Sequence, residues 1–534
     1  MQTRSAIAAL LASLALFASR GTARAQVTRY AASSVTIQPV APSLGAPQIE
    51  LSEAEHKRFL EEYEEMNEEI MEAKPPVARG PRAVRRPAVA ATQVDSLREA
   101  QSSTPAPEDF YVGSNQLYSV TGKAGAVAEP SVANSGKNWF ATQNWTAGYS
   151  TDAGATWTKV SPVGSGANPP VNAPIFCCDQ DVIHDHGRNV TFWSELFLDK
   201  TKSNGVVRIL VRSADNLTNN CAYDIDGGIG IKNDYPHLGL GNDYLYLTAN
   251  VLKSGAGWQG AKIWRFNLDQ IASCQPVQAG TFTWTGSVGQ VVWVPTRATT
   301  DTMYLVTIEN SSQNRYFWWP ENENVIYNKL IDVPAVKFGA ATCTGGSSGA
   351  DWMDKGGTGS IGLTVRSAVA QDNREQYLAT YYGVAPTTGR PQAYIAGTIV
   401  RTSDMTLLSS PDLWSPDSCM GFADVNANSR GDLGITLAAG GSTTGGSVVQ
   451  GFVGISDSYS RGNNRGKFST IYLAAAGDDN PSAYGDYLTI RVQEPVDTAF
   501  IATSYAQLGG STNTHIVEFM RGRYAQAYLD RGKQ

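Results

Sequence analysis

Charge is scarce in this 534-residue chain: Asp, Glu, Lys and Arg make up only 17 %, against 52 glycines, 23 tyrosines and 12 tryptophans. That balance excludes a coiled coil, a long helical array and a wholly disordered chain. Past the first 25 residues, no apolar stretch approaches the about 18 residues that a membrane-spanning helix needs. Histidine occurs five times and cysteine six times, and no two cysteines have Cys-x-x-Cys spacing, which argues against a zinc ribbon or a thioredoxin-type site. No P-loop and no helix-opening Gly-x-Gly-x-x-Gly appears, so nucleotide chemistry has no support. The net charge of −7 makes the chain a poor general nucleic-acid binder, because phosphate contacts need a basic surface.

Residues 1–25 have the layout of a secretory signal: Arg4, an apolar run from Ala6 to Ala18, and the small-x-small string Ala23-Arg24-Ala25 before Gln26. A secreted protein, extracellular or periplasmic, is expected. Six cysteines in such a chain imply disulfides, with the pairing open. Adjacent Cys177 and Cys178 would be strained if joined to each other, so distant partners are expected. Residues 26–110 read as an amphipathic helix plus a linker or pro-segment. Ser52 to Glu55 is a capping box, Phe59, Tyr63, Met66 and Ile70 recur at helical spacing, and Pro75-Pro76 stops the pattern. A Pro/Arg/Ala-rich stretch follows.

From about residue 111 short alternating strands take over, with Gly-rich turns. Seven stretches vary one unit, starting near residues 129, 178, 234, 291, 360, 421 and 485. A period of roughly 50–70 residues with three or four strands each is that of a β-propeller blade. The expected fold is therefore all-β, a seven-bladed propeller over residues 111–525 with six blades as the alternative count, and a tail at 526–534. In such a fold the first residues of each blade's innermost strand gather at one mouth of a central channel.

Ser150-Thr-Asp152-Ala-Gly154-Ala-Thr156-Trp157 matches the Asp-box, Ser-x-Asp-x-Gly-x-Thr-Trp, at every fixed position. Asp152 can accept turn amides, Gly154 can supply a positive φ, and Trp157 can pack back on the blade. This string resembles the repeat of the sialidase-type (BNR/Asp-box) propeller superfamily. Asp234-Tyr-Pro, Asn426 to Gly434 and Tyr484-Gly-Asp-Tyr487 resemble exported bacterial members of that group. The resemblance implies a carbohydrate-active or glycan-binding protein. Authentic sialidase chemistry is not expected: there is no Arg-Ile-Pro segment, and Arg212, Arg297, Arg315, Arg366 and Arg491 match no motif.

The unit starts supply acids for a candidate acid/base site: Glu129, Asp179, Asp181, Asp234, Asp424 and Asp486. Glycoside hydrolysis needs a carboxylate pair whose pKa values differ, and Asp179, Asp181, Asp234 and Asp486 are the candidates. Turn-amide acceptance is the competing reading. Tyr235 and His237 share one strand face, and with an arginine they suit proton abstraction beside a uronate carboxylate, which is lyase chemistry. The competing reading is a buried, satisfied histidine. Trp318 and Trp319 are candidate sugar platforms, with Glu129 and Tyr487 beside the site; core packing is the alternative for both tryptophans. His184 and His186 have the spacing of a strand metal pair, but read better as polar turn residues. Asp424, Asn426, Asn428 and Asp432 partly match a calcium loop without its Gly and Glu; no cofactor is otherwise expected. The leading expectation is an exported glycosidase or polysaccharide lyase acting on a glycan. The second is a non-catalytic propeller binding a protein, through the N-terminal helix, or a cell-surface polymer.

Overall fold

The computed structural model describes residues 27–40, 58, 92–93, 110–120, 127–162, 168–215, 217–286, 293–339, 341–353, 365–371, 375–457, 465–481, 484–485 and 487–531. It is nearly all β and forms six sheets. Their main path is an up-and-down antiparallel meander, as short strands joined by tight turns dictate. The strands Ser131–Ser135, Asn138–Gln143, Thr146–Ser150 and Thr158–Val160 form one sheet; Cys419–Ala427 through Ile471–Ala475 form another. The ten-stranded sheet is two meanders, starting at Ile175–Asp185 and Ile231–Leu240, joined by a single parallel contact, Gly205 to Lys232.

The core lies between consecutive meanders. Ala133 and Phe140 pack against Val182, Trp193 and Leu210, and Leu196 and Tyr223 pack with Leu247 and Trp264. Tyr246 meets Phe317 and Trp319, and Tyr316 meets Leu378 and Tyr394. Tyr381 and Ile399 pack with Ile435 and Phe452, and Val453 packs with Phe500 and Phe519. Ile501 and Ile516 then meet Val132 and Trp139, which closes the circuit. Each buried side chain of this size contributes about 1.5–3 kcal/mol. Sheets packed face to face around a closed circuit are consistent with a propeller-like fold.

The N-terminal region differs from expectation. Thr28–Ala31, Ser33–Ile37 and Pro39–Val40 are strands, added in turn to the outer edges of Val325–Asp332, Val277–Trp284 and Asn219–Asp226. The alternation Val35, Ile37 is short and the edge is only half covered, so the pattern was overshadowed by the stronger helical period downstream. This strap blankets edges that would otherwise offer unpaired backbone groups. The expected helix at 52–70 lies outside the described residues, apart from Arg58. Phe110–Leu117 pairs with Ser511–Arg521, tying the two ends of the propeller region together. Residues 525–531, overlapping the tail expected at 526–534, form a short helix whose Tyr528 donates to Glu518 Oε2 at 2.5 Å.

The Asp-box string folds as its chemistry demands. Asp152 accepts the Thr156 amide at 2.8 Å, the Thr156 hydroxyl at 2.7 Å and the Ser150 hydroxyl at 2.7 Å. These donors hold its carboxyl down at about 2. Trp157 meets Tyr118 edge-on at 4.8 Å. Gly154 has φ +82°, and a Cβ there would sit 2.5 Å from Trp139. Gly154→Ala is therefore expected to cost about 2–4 kcal/mol, combining a positive φ with overpacking. Urea denaturation followed by tryptophan fluorescence checks this, and an unchanged midpoint contradicts it.

Disulfides join Cys221 to Cys274 and Cys343 to Cys419. Cys177 and Cys178 are not disulfide-bonded in this structure, and the distant partners expected for them are taken up in the pairs Cys221–Cys274 and Cys343–Cys419.

Candidate active site

The first strands of successive meanders lie side by side: Ser131–Ser135 against Ile175–Asp185, that strand against Ile231–Leu240, and Arg366–Gln371 against Cys419–Ala427, with Ile490–Val492 between Cys419–Ala427 and Ser131–Ser135. Three of them break register at matching places. Phe176 pairs with Phe197 but Gln180 with Glu195; Asp234 pairs with Asn250 but His237 with Thr248; Gly421 pairs with Ala438 but Asp424 with Thr436. These are β-bulges, which re-aim side chains. Tyr235 and Phe422 occupy the bulges at φ +59° and +54°, and Glu129 enters its strand at +48°. Left-handed backbone at non-glycine residues costs about 1–3 kcal/mol each and gathers at functional sites.

The bulges bring four of the expected residues together. The Tyr235 ring lies 4.4 Å from His237 and 4.8 Å from Tyr487, and His237 stacks on Tyr487 at 4.3 Å. Tyr487 Oη donates to Pro236 O at 3.0 Å and reaches Asp179 Oδ2 at 3.4 Å. Asp179 and Tyr235 are half-buried and face solvent in part. Asp234 belongs to the same cluster: its charge and that of Asp179 both act on Cys177 and Cys178, whose thiols burial pushes up. Lys232 lies among them; burial pushes its ammonium down, and Asp234 opposes that shift. Glu129 runs over Gly485, where a Cβ would lie 2.1 Å from Glu129 Cγ, so the glycine leaves room for the acid.

Beneath this cluster is a closed layer of charge. Asp181, fully buried, accepts from Arg491 Nη2 at 2.7 Å, Ser131 Oγ at 2.8 Å and the amides of Val182 and Leu238 at 2.9 Å each. Arg297 donates to Leu238 O at 2.6 Å and lies 3.7 Å from Asp424 Oδ2, which also accepts the Ile490 amide at 3.1 Å. Arg366 Nη1 is 3.4 Å from His237 Nδ1. A guanidinium can only donate, so Nδ1 accepts and the His237 proton sits on Nε2. Burial first, then Arg366, Arg297 and Arg491, hold His237 well below the usual histidine range.

Two expectations change here. Asp181 is wholly buried, and protein donors take both of its carboxylate oxygens. His237 is not a base facing substrate: it is wholly buried, and its accepting nitrogen is taken up by Arg366. The assembly of Arg297, Arg366 and Arg491 around one histidine was missed. Arg366 begins a first strand, Arg491 sits within one and Arg297 precedes one.

The remaining candidates lie elsewhere. Trp319 is buried under Arg265, whose guanidinium lies 4.2 Å above its ring, and Trp318 stacks on Tyr327 at 5.6 Å. Core packing between sheets claims Trp319, while Trp318 is half-buried, stacked on a neighbour in its own sheet. Asp486 lies outside the described residues. The calcium-like oxygens point to separate protein donors: Asn428 Oδ1 accepts the Arg430 and Asp432 amides at 3.0 Å each, and Asp432 pairs with Arg521 at 2.5 Å. His184 contacts Thr191 Oγ1 at 3.3 Å and His186 faces Glu494 at 3.7 Å. Gly345 to Gly349 has the spacing of a nucleophile elbow, but it lies in a turn where Ser347 and Ser348 donate to Asp479 at 2.8 and 2.7 Å. Among the described residues, no helix is long and apolar enough to cross a membrane.

The buried histidines set a pH dependence. The unfolded chain binds protons at His237 and His184 near the ordinary value of about 6.5. The folded chain refuses the first until far lower pH and the second until about 4. Their contribution is thus complete above about 6.5 and drains away as pH falls below it, by at most about 1.4 kcal/mol per pH unit for each. Urea denaturation at pH 7, 6 and 5 should show falling stability, with a shallower slope in His237→Gln. Equal slopes contradict this assignment.

No protein-family model matches the sequence, and no curated protein does. Among solved structures, the chain is similar to the α-L-arabinanase of Penicillium chrysogenum complexed with arabinobiose, at 12 % identity and TM-score 0.38 over 78 % of this chain and 99 % of that one. It is similar to the GH93 α-L-arabinofuranosidase of Fusarium graminearum with arabinobiose, at 10 % identity and TM-score 0.37 over 77 % and 98 %. It is also similar to a Trypanosoma rangeli sialidase, at 9 % identity and TM-score 0.33 over 85 % and 60 %. At this degree of likeness the chemistry has to be read from the site itself.

Proposed function

We propose that this chain is a secreted, seven-bladed β-propeller glycosidase that cleaves a glycan at the mouth of its central channel. Counting the two meanders of the ten-stranded sheet separately gives seven groups of four to six strands, and the seven clusters between them support seven blades over six. The signal-like residues 1–25 and the two disulfides support secretion. Asp179 and Asp234 are the carboxylate pair, one acting as acid and the other as base or nucleophile.

The observation that carries this reading is the partly exposed carboxylate of Asp179, held by Tyr487 beside Asp234 on adjoining bulged strands. Glycoside hydrolysis needs two carboxyl groups flanking one bond, and these two stand on neighbouring strands. The lyase reading loses His237 as its base, because Arg366 caps its ring nitrogen, and rests on Tyr235 alone. The test is a polysaccharide panel with the purified mature chain. New reducing ends without the ultraviolet absorbance of an unsaturated uronate support hydrolysis. Reducing ends with that absorbance support a lyase, and silence across the panel supports a binding propeller.

A further inference from the structure

We propose that Cys177 and Cys178 close into a vicinal disulfide in the secreted protein, forming part of the wall beside Asp179. The inference rests on the export reading above. The other four cysteines are consumed by the pairs Cys221–Cys274 and Cys343–Cys419. Within the chain, Cys177 and Cys178 have only each other left.

The local backbone suits the pairing. In a regular strand successive side chains point to opposite faces. Here residues 177–179 fall in the gap between the pairs Phe176–Phe197 and Gln180–Glu195, where the ladder is broken. Both side chains join the same apolar cluster, 0 and 6 % exposed, and each thiol bears directly on the other's proton affinity. Two thiols on adjacent residues have a high effective concentration for each other, so the ring competes well with intermolecular pairing.

The oxidation balances as ordinary exchange. One thiolate attacks the disulfide of an exchange protein in the export compartment and forms a mixed disulfide, releasing one sulfur of that protein. The second thiol attacks the mixed disulfide and releases the other. The pair loses two electrons and two protons, and the exchange protein leaves as a dithiol. Burial of both sulfurs requires this to happen before the blades close, and it shields the finished bond from reductants afterwards. Asp179 follows directly in sequence, so the ring forms part of the wall beside its carboxylate.

The experiment uses the full chain collected from the export compartment, quenched in acid, denatured and alkylated before any reductant is added. Trypsin should release residues 160–188 as one peptide carrying both cysteines and no other. That peptide is expected two hydrogens lighter than its dithiol, without alkyl groups and unlinked to any other peptide, and it should take two alkyl groups after reduction. The Cys221–Cys274 and Cys343–Cys419 peptides serve as the internal gauge. If these are linked while the 160–188 peptide is already doubly alkylated, the vicinal bond is refuted and the export reading stands. If all six cysteines are alkylated before reduction, both fall.

Discussion

Asp181→Ala is expected to destabilise the protein by about 3–5 kcal/mol, the range for removing one partner of a buried ion pair. The substitution strands Arg491, whose Nη2 lies 2.7 Å from the lost oxygen, and leaves the amides of Val182 and Leu238 without their acceptor. These donors come from three different meanders, so the loss loosens the ring of first strands itself. Asp181→Asn keeps the shape and one acceptor oxygen and should cost less. Arg491→Met should also destabilise, and the double substitution should cost clearly less than the sum, because neither variant then leaves a buried charge alone. Urea denaturation of the four proteins measures this cycle. Additive losses would show that the two side chains do not act as a pair. A fully stable Asp181→Ala would return the residue to the list of catalytic candidates.

Much of the fold was legible because it repeats. Alternating Val, Ile, Tyr and Phe separated by Gly-rich turns fix strands whatever lies around them, and the fixed positions from Ser150 to Trp157 dictate one turn geometry. Unit starts read from the sequence near 178, 234 and 421 fall inside the first strands Ile175–Asp185, Ile231–Leu240 and Cys419–Ala427. The site was legible only in part. Tyr235, His237, Asp179 and Tyr487 were picked out by their places at unit starts, and the bulges unite them. Which of the acids faces solvent and which is locked inward was not legible, because a one-residue slip in a bulge sends the side chain to the other face. Asp179 and Asp181 sit two apart, yet one meets solvent and Tyr487 while the other is enclosed by Arg491 and three more donors. The outer strap at 28–40 was hidden for another reason: an edge strand held mainly by backbone hydrogen bonds leaves little side-chain pattern.

Asp179→Asn and Asp234→Asn are each expected to lower glycan turnover by about 10²–10⁴-fold, the usual contribution of a positioned acid or base. The size of the loss follows from the role: an amide cannot give or take the proton that the glycosidic oxygen or the attacking water requires. Neither change should alter stability as Asp181→Ala does, because Asp179 is partly solvated already and an amide keeps the volume of both sites. Tyr487→Phe should act more mildly, since it removes the hydroxyl that reaches Asp179 Oδ2 at 3.4 Å but retains the ring stacked on His237. Its signature should be a shift in the pH profile, because Asp179 loses a hydrogen bond that favours its charged form. Reducing-end release on the responsive polysaccharide, measured with urea midpoints for every variant, separates chemistry from folding. Full turnover in both carboxamide variants would remove the carboxylate pair from the mechanism. Loss of turnover matched by an equal fall in stability would make these acids, like Asp181, part of the frame.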